Sequence, residues 1–119
     1  MTDIRIKRVY EPASPADGYR ILVDRLWPRG IRKETLQYDD WAKQLAPSNE
    51  LRQWYHADPE GRRQEFAARY LDELNHSPEA EEFVHTLEDR KTVTLLFAAK
   101  DTVHTHALTL QKWLGSRIG

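Results

Sequence analysis

The 119-residue chain contains no cysteine. That absence excludes disulfides, zinc ribbons, thiol nucleophiles and iron–sulfur ligation. Glycine is scarce, with five residues, and neither a P-loop nor a dinucleotide fingerprint can be assembled from them. Long apolar runs are missing too: the longest uninterrupted stretch lies around Leu95–Ala99, far below the roughly 20 residues a membrane span needs. Behind Met1-Thr2-Asp3-Ile4 there is no apolar signal-peptide core, so a cytoplasmic protein without a membrane partner is expected. The length fits one domain, residues 1–119, with two packed layers around a single core.

With 39% apolar and 31% charged residues, the composition is that of a folded, soluble chain. The formal net charge of −1 hides a division along the sequence. Residues 1–33 hold eight basic and four acidic side chains, residues 34–89 five and fourteen, and residues 90–119 five and one. The pattern is therefore basic, acidic, basic.

Ile4-Arg5-Ile6-Lys7-Arg8-Val9-Tyr10 alternates apolar and basic residues with period two, which predicts a strand with one buried face. Pro12, Ser14-Pro15 and Asp17-Gly18 mark a loop. Tyr19 to Arg25 follows, its centre of Ile21-Leu22-Val23 suiting a strand buried on both faces. A short helix is predicted around Trp41, Ala42 and Leu45, stopping at Pro47. Ser48, Asp58-Pro59 and Ser77-Pro78 are N-cap signals for three further helices, the middle one turning Phe66, Tyr70, Leu71 and Leu74 inward. Thr92–Ala99 is a third strand, and a last helix capped by Asp101 or Thr102 buries Val103, Ala107, Leu110, Trp113 and Leu114. This order predicts an α/β fold: a small, mainly parallel sheet with several helices covering it, a Rossmann-like sandwich. The short first loop leaves the direction of the first strand relative to the second open.

Ligands of open α/β sheets bind outside the carboxyl ends of the strands. Those ends would assemble Arg8 and Tyr10, then Asp24 to Arg29, then Lys100, Asp101 and the start of the last helix. Arg25, Arg29 and Lys100 beside a helix N-terminus form a candidate anion site for a phosphorylated small molecule, such as a nucleotide or sugar phosphate. The competing reading is that these cations pair with the fourteen carboxylates of the middle segment. Asp24 is a candidate general acid or base, although an aspartate at a strand end more often braces a loop. His104 and His106 are further candidates, with Asp24, for moving protons in a metal-independent hydrolysis or group transfer, or for simple loop hydrogen bonds. Two residues apart on a helix they point about 200° from one another, so no metal and no cofactor are expected. Trp27 offers either a stacking wall or a core plug, and plugs are the commoner role. Trp41, Trp54 and Trp113 fit core faces. A nucleic-acid-binding module is the second reading, opposed by the acidic helices. A protein-interaction module acting through those helices is the third.

Arg20-Ile21-Leu22-Val23-Asp24-Arg25-Leu26-Trp27-Pro28-Arg29-Gly30 resembles the signature of the YeaO-like proteins of domain-of-unknown-function family 488. Trp41, Leu45-Ala46-Pro47-Ser48, Leu51-Arg52-Gln53-Trp54, Phe66, Tyr70 and Glu73-Leu74 extend the likeness, as do Val93-Thr94-Leu95-Leu96 and Ala98-Ala99-Lys100-Asp101 before His104, His106 and Ala107. The resemblance implies a compact Rossmann-like sandwich and a weak association with nucleotides or nucleic acids. Other branches of the family carry Cys-His-Arg near the last helix, where this chain has His104-Thr105-His106 and no cysteine. Binding without cysteine-dependent catalysis is what that departure implies.

Overall fold

A computed structural model describes residues 2–118. Four parallel strands form one sheet in the order β1-β4-β2-β3, with β1 at Asp3–Arg8, β2 at Tyr19–Leu22, β3 at Asp40–Trp41 and β4 at Thr92–Phe97. The direction left open by the sequence is resolved by β4, which lies between β1 and β2. Residues 9–18 therefore cross over β4, and the hydroxyl of Thr94 on β4 donates to the Asp17 carbonyl beneath the crossing (2.7 Å).

Alternation decides which side chain faces which layer. Ile21, Val23, Val93, Leu95 and Phe97 point to a helical layer made of α1 (Asn49–His56), α2 (Pro59–Asn75), α3 (Pro78–Leu87) and α4 (His106–Ile118). Leu22 and Leu96 point the other way, onto a layer of loop carrying Trp27, Ile31, Leu36 and Trp41. The three predicted caps form: Ser48, Asp58 and Ser77 accept from the backbone N–H of Leu51, Gly61 and Ala80 at 3.1–3.2 Å. Among the described residues no helix is long and apolar enough to cross a membrane.

Three local expectations need correction. Trp41 lies on the edge strand β3, opposite Leu22, with only a 3-10 turn at Lys43–Leu45 behind it; Pro47 leaves no room for a helix there. Leu71 on α2 is turned outward, because Phe66, Tyr70 and Leu74 already fill the inward stripe. The last helix starts at His106, not beside Asp101, and Val103 is exposed in the preceding loop.

On the loop face, Lys7 of β1 and Arg20 of β2 meet a buried carboxylate. Asp17, 4% exposed, accepts from Lys7 Nζ (2.8 Å), Arg20 (2.5 Å) and the Ser14 backbone N–H (3.0 Å). Burial alone would raise its pKa, but the bonds from Lys7, Ser14 and Arg20 outweigh that and lower it. Gly18 follows with φ +65°, and a Cβ there would lie 2.3 Å from the Thr92 carbonyl oxygen, so the crossover enters β2 only through glycine. Replacing Asp17 with Ala leaves two desolvated cations facing each other. The Asp17→Ala variant is expected to lose about 3 kcal/mol, read as a lower urea midpoint, whereas a loss under about 1 kcal/mol would reduce the cluster to a surface pair.

Candidate functional site

At the carboxyl edge the β2–β4 ladder ends in an exchange of partners. Val23 N–H still donates to the Leu96 carbonyl (3.0 Å). Continued parallel pairing would next join Ala98 N–H to the Val23 carbonyl. Instead Ala98 N–H donates to Asp24 Oδ2 (2.8 Å), and the Val23 carbonyl accepts from His106 Nε2 (3.0 Å). Because a carbonyl only accepts, Nε2 carries the proton and Nδ1 is the bare nitrogen of the neutral ring. His106 Nε2 also stands 3.5 Å from Asp24 Oδ1. The indole N–H of Trp41 donates to the Asp24 carbonyl (2.7 Å).

Burial dominates both titrations. It raises the Asp24 carboxyl, offset in part by His106, the Ala98 N–H and Arg52. It lowers His106, offset by Asp24 and the Val23 carbonyl and reinforced by Arg52. Tyr70 packs edge-on against the His106 ring at 5.9 Å, and burial pushes its phenol well above the usual range, so it stays a donor, to the Leu45 carbonyl. Glu73, one turn on, accepts from the Ser48 backbone N–H (3.0 Å) and hydroxyl (2.5 Å). Residues 45–48 are thereby clamped to α2, and the carbonyls of Pro47 and Ala46 receive Arg25 at 3.2 and 3.5 Å.

These contacts form the floor of a cleft of about 520 Å³. Of the residues singled out in the sequence, Tyr10, Asp24, Arg25, Trp27, Arg29, Asp101, His104 and His106 line it. Arg8 and Lys100 do not. The Arg8 guanidinium is spent on the carbonyls of Ala99 (2.9 Å) and Ala98 (3.0 Å), which steadies the β4 exit, and it stacks over Tyr10. Tyr10 donates to the Arg29 carbonyl (2.9 Å), and Gly30, at φ +76°, turns the chain just beyond. Trp27 packs against the loop layer, its N–H donating to the Ile31 carbonyl (2.6 Å) and its ring edge-on to Trp41 and Tyr38, and it also lines the cleft.

Asp101 caps its own loop, accepting from the N–H groups of Val103 (2.9 Å) and His104 (3.0 Å) and from His104 Nδ1 (2.8 Å). Those bonds, that from the His104 side chain foremost, lower its carboxyl to about 2. Arg52 and His56 also line the cleft, and reading the sequence for strand exits passes over both, since they sit on α1 inside the acidic segment. The Leu51-Arg52-Gln53-Trp54 stretch carried a signal only in hindsight of geometry: with Leu51 buried, Arg52 is rotated toward the sheet edge. None of Arg25, Arg29 and Arg52 forms an ion pair with a carboxylate among the described residues. No group of three or more metal-ligating side chains exists among them either.

A small all-parallel α/β protein with a cationic cleft at the carboxyl edge of its sheet is thus defined. Within that class, the family described as the "Inactive DUF488-N3 subclade" matches residues 3–118, and the chain belongs to it. It is 45% identical over 114 residues to the uncharacterized protein YeaO of Escherichia coli K12, covering 96% of this chain and 98% of the relative. It is 46% identical over 116 residues to the uncharacterized protein Rv3073c of Mycobacterium tuberculosis H37Rv, covering 98% and 97%. No solved structure matches the chain.

The His106 shift sets a pH dependence of stability. An unfolded histidine takes its proton near 6.5, whereas in the fold burial holds the ring neutral to lower pH. Its contribution is complete above 6.5 and falls as pH drops below it, by at most about 1.4 kcal/mol per pH unit. Asp24, raised from 3.8, works in the opposite sense: the fold takes that proton first and regains stability as pH falls toward 3.8. His106→Gln keeps a donor for Val23 and cannot titrate. Urea midpoints measured between pH 7 and 5 should decline less steeply for this variant than for the wild type; identical slopes would place the responsible proton elsewhere.

Proposed function

We propose that this protein binds a phosphorylated small molecule of nucleotide size in the cleft at the carboxyl edge of its sheet. The observation that carries the reading is the convergence of Arg25, Arg29 and Arg52 on one cavity with none of them in an ion pair with a carboxylate among the described residues. Guanidinium groups match phosphate oxygens in a fork, and each such charge-assisted bond exceeds a neutral one about twofold in strength. A volume of about 520 Å³ lies in the range of pockets that enclose ligands of this size. Trp27, Tyr10 and Tyr55 supply aromatic wall for a base or sugar face.

Binding without turnover is supported by the family's description as inactive and by the commitments of Asp24. Its Oδ2 holds the Ala98 N–H and its Oδ1 faces His106, so the carboxylate braces the floor. In this reading Asp24 and His106 position the cleft, His104 and Asp101 shape its rim, and the cations hold the ligand.

Isothermal titration against a panel of nucleoside monophosphates and sugar phosphates tests the proposal. At least one should bind saturably, and the Arg25→Ala/Arg29→Ala double variant should weaken it about tenfold to a hundredfold. Absence of saturable binding by any phosphorylated compound ends the reading.

A further inference from the structure

The basic residues of α2 and α4 divide into two sets. Arg62 donates to the Trp54 carbonyl and stacks over its ring, Arg69 pairs with Glu65, and Arg117 pairs with Glu81. Arg63 and Lys112 have no carboxylate partner among the described residues, and both line one groove of about 250 Å³ along the seam between α2 and α4. No carboxylate lines that groove, although α2 belongs to the most acidic part of the chain. The groove is continuous with the main cleft: Tyr55, Phe66, His104 and Thr105 are walls of both. Its remaining lining offers the hydroxyl of Thr109 and the amide of Gln64, donors suited to phosphoryl oxygens.

We infer that Arg63 and Lys112 form a second anion subsite, so that the natural ligand is a small molecule carrying two separated phosphoryl groups, of the chemical class of a 5′-phosphorylated dinucleotide. The inference rests on the binding proposed for the main cleft and extends it. One phosphoryl group occupies the Arg25–Arg29–Arg52 cleft. The ligand then passes the shared wall at Tyr55 and His104 and places its second phosphoryl group between α2 and α4. Two features favour this over a chance placement of surface charge. The helices spend every other arginine on internal partners, and the two cations left over stand on opposite banks of one groove. A ligand with a single phosphate reaches only the first site, and linking two sites through one molecule multiplies their contributions.

Titration with adenosine monophosphate and with 5′-phosphorylated diadenylate separates the two levels. The dinucleotide should bind the wild type at least about tenfold more tightly than the monophosphate. Arg63→Gln/Lys112→Gln should remove that advantage and leave monophosphate affinity unchanged; both positions are exposed, so the fold tolerates the change. Lys91→Gln, at the opposite end of β4, should alter neither affinity. Equal affinities of the two compounds for the wild type would overturn the second subsite and leave the main cleft standing. So would a uniform loss in the double variant, or a dinucleotide loss matched by Lys91→Gln. Failure of both compounds to bind, with no other phosphorylated compound bound, would overturn both proposals together.

Discussion

The exchange of hydrogen-bond partners at Asp24 determines where the sheet opens. A parallel ladder that stops leaves a carbonyl on one strand and an N–H on the next without partners, and each would be costly if buried unpaired. Here one side chain from the strand itself and one from α4 take those two groups, Asp24 the Ala98 N–H and His106 the Val23 carbonyl. The strands separate without an orphaned group, and α4 is pinned at its first residue to the end of β2. The cleft is the space this separation creates.

The same economy explains why the cleft is cationic in a chain with net charge −1. Four carboxylates near the sheet are engaged with backbone donors or with cations away from the cleft. Asp24 holds Ala98, Asp101 its own loop, Glu73 the start of α1, and Asp17 is enclosed by Lys7 and Arg20. None of these forms an ion pair with Arg25, Arg29 or Arg52, although Asp24 and Asp101 line the same cleft and Asp24 feels the charge of Arg52. Segment charge is therefore a poor guide to local charge: Arg52 comes from the acidic segment, whereas Arg8 and Lys100, from the basic segments, do not line the cleft.

Three strands and three helix caps were legible because each rests on a local rule. Period-two alternation marks β1, a continuous apolar core marks β2 and β4, and Ser or Asp before Pro or before an apolar stripe marks each cap. Strand β3 was illegible for the same reason: two residues carry no period, and Trp41 pairs because the edge of β2 needs a partner. The start of α4 was misread because Asp101 does cap backbone N–H groups, but those of a loop turn, and the helix begins five residues later at His106. Of the cleft-lining residues, Tyr10, Asp24, Arg25, Trp27, Arg29 and Asp101 were legible from strand-exit topology, which also named Arg8 and Lys100, neither of which lines the cleft. Arg52 and His56 were not, since their facing depends on how α1 packs once Glu73 has fixed Ser48.

The floor and the rim of the cleft are held by different physics. On the floor, Asp24 and His106 are half-buried and engaged by the backbone of Ala98 and Val23, with the fully buried Tyr70 bonded to Leu45 behind them. The rim is built from long cationic side chains, of which Arg29 is exposed and Arg25 is held by the carbonyls of Pro47 and Ala46. An engaged floor beneath cations that no carboxylate pairs is the arrangement on which the proposed anion binding rests. In the proposed reading the acid–imidazole pair at the carboxyl edge serves as architecture, because its two members hold the N–H of Ala98 and the carbonyl of Val23 where the ladder ends.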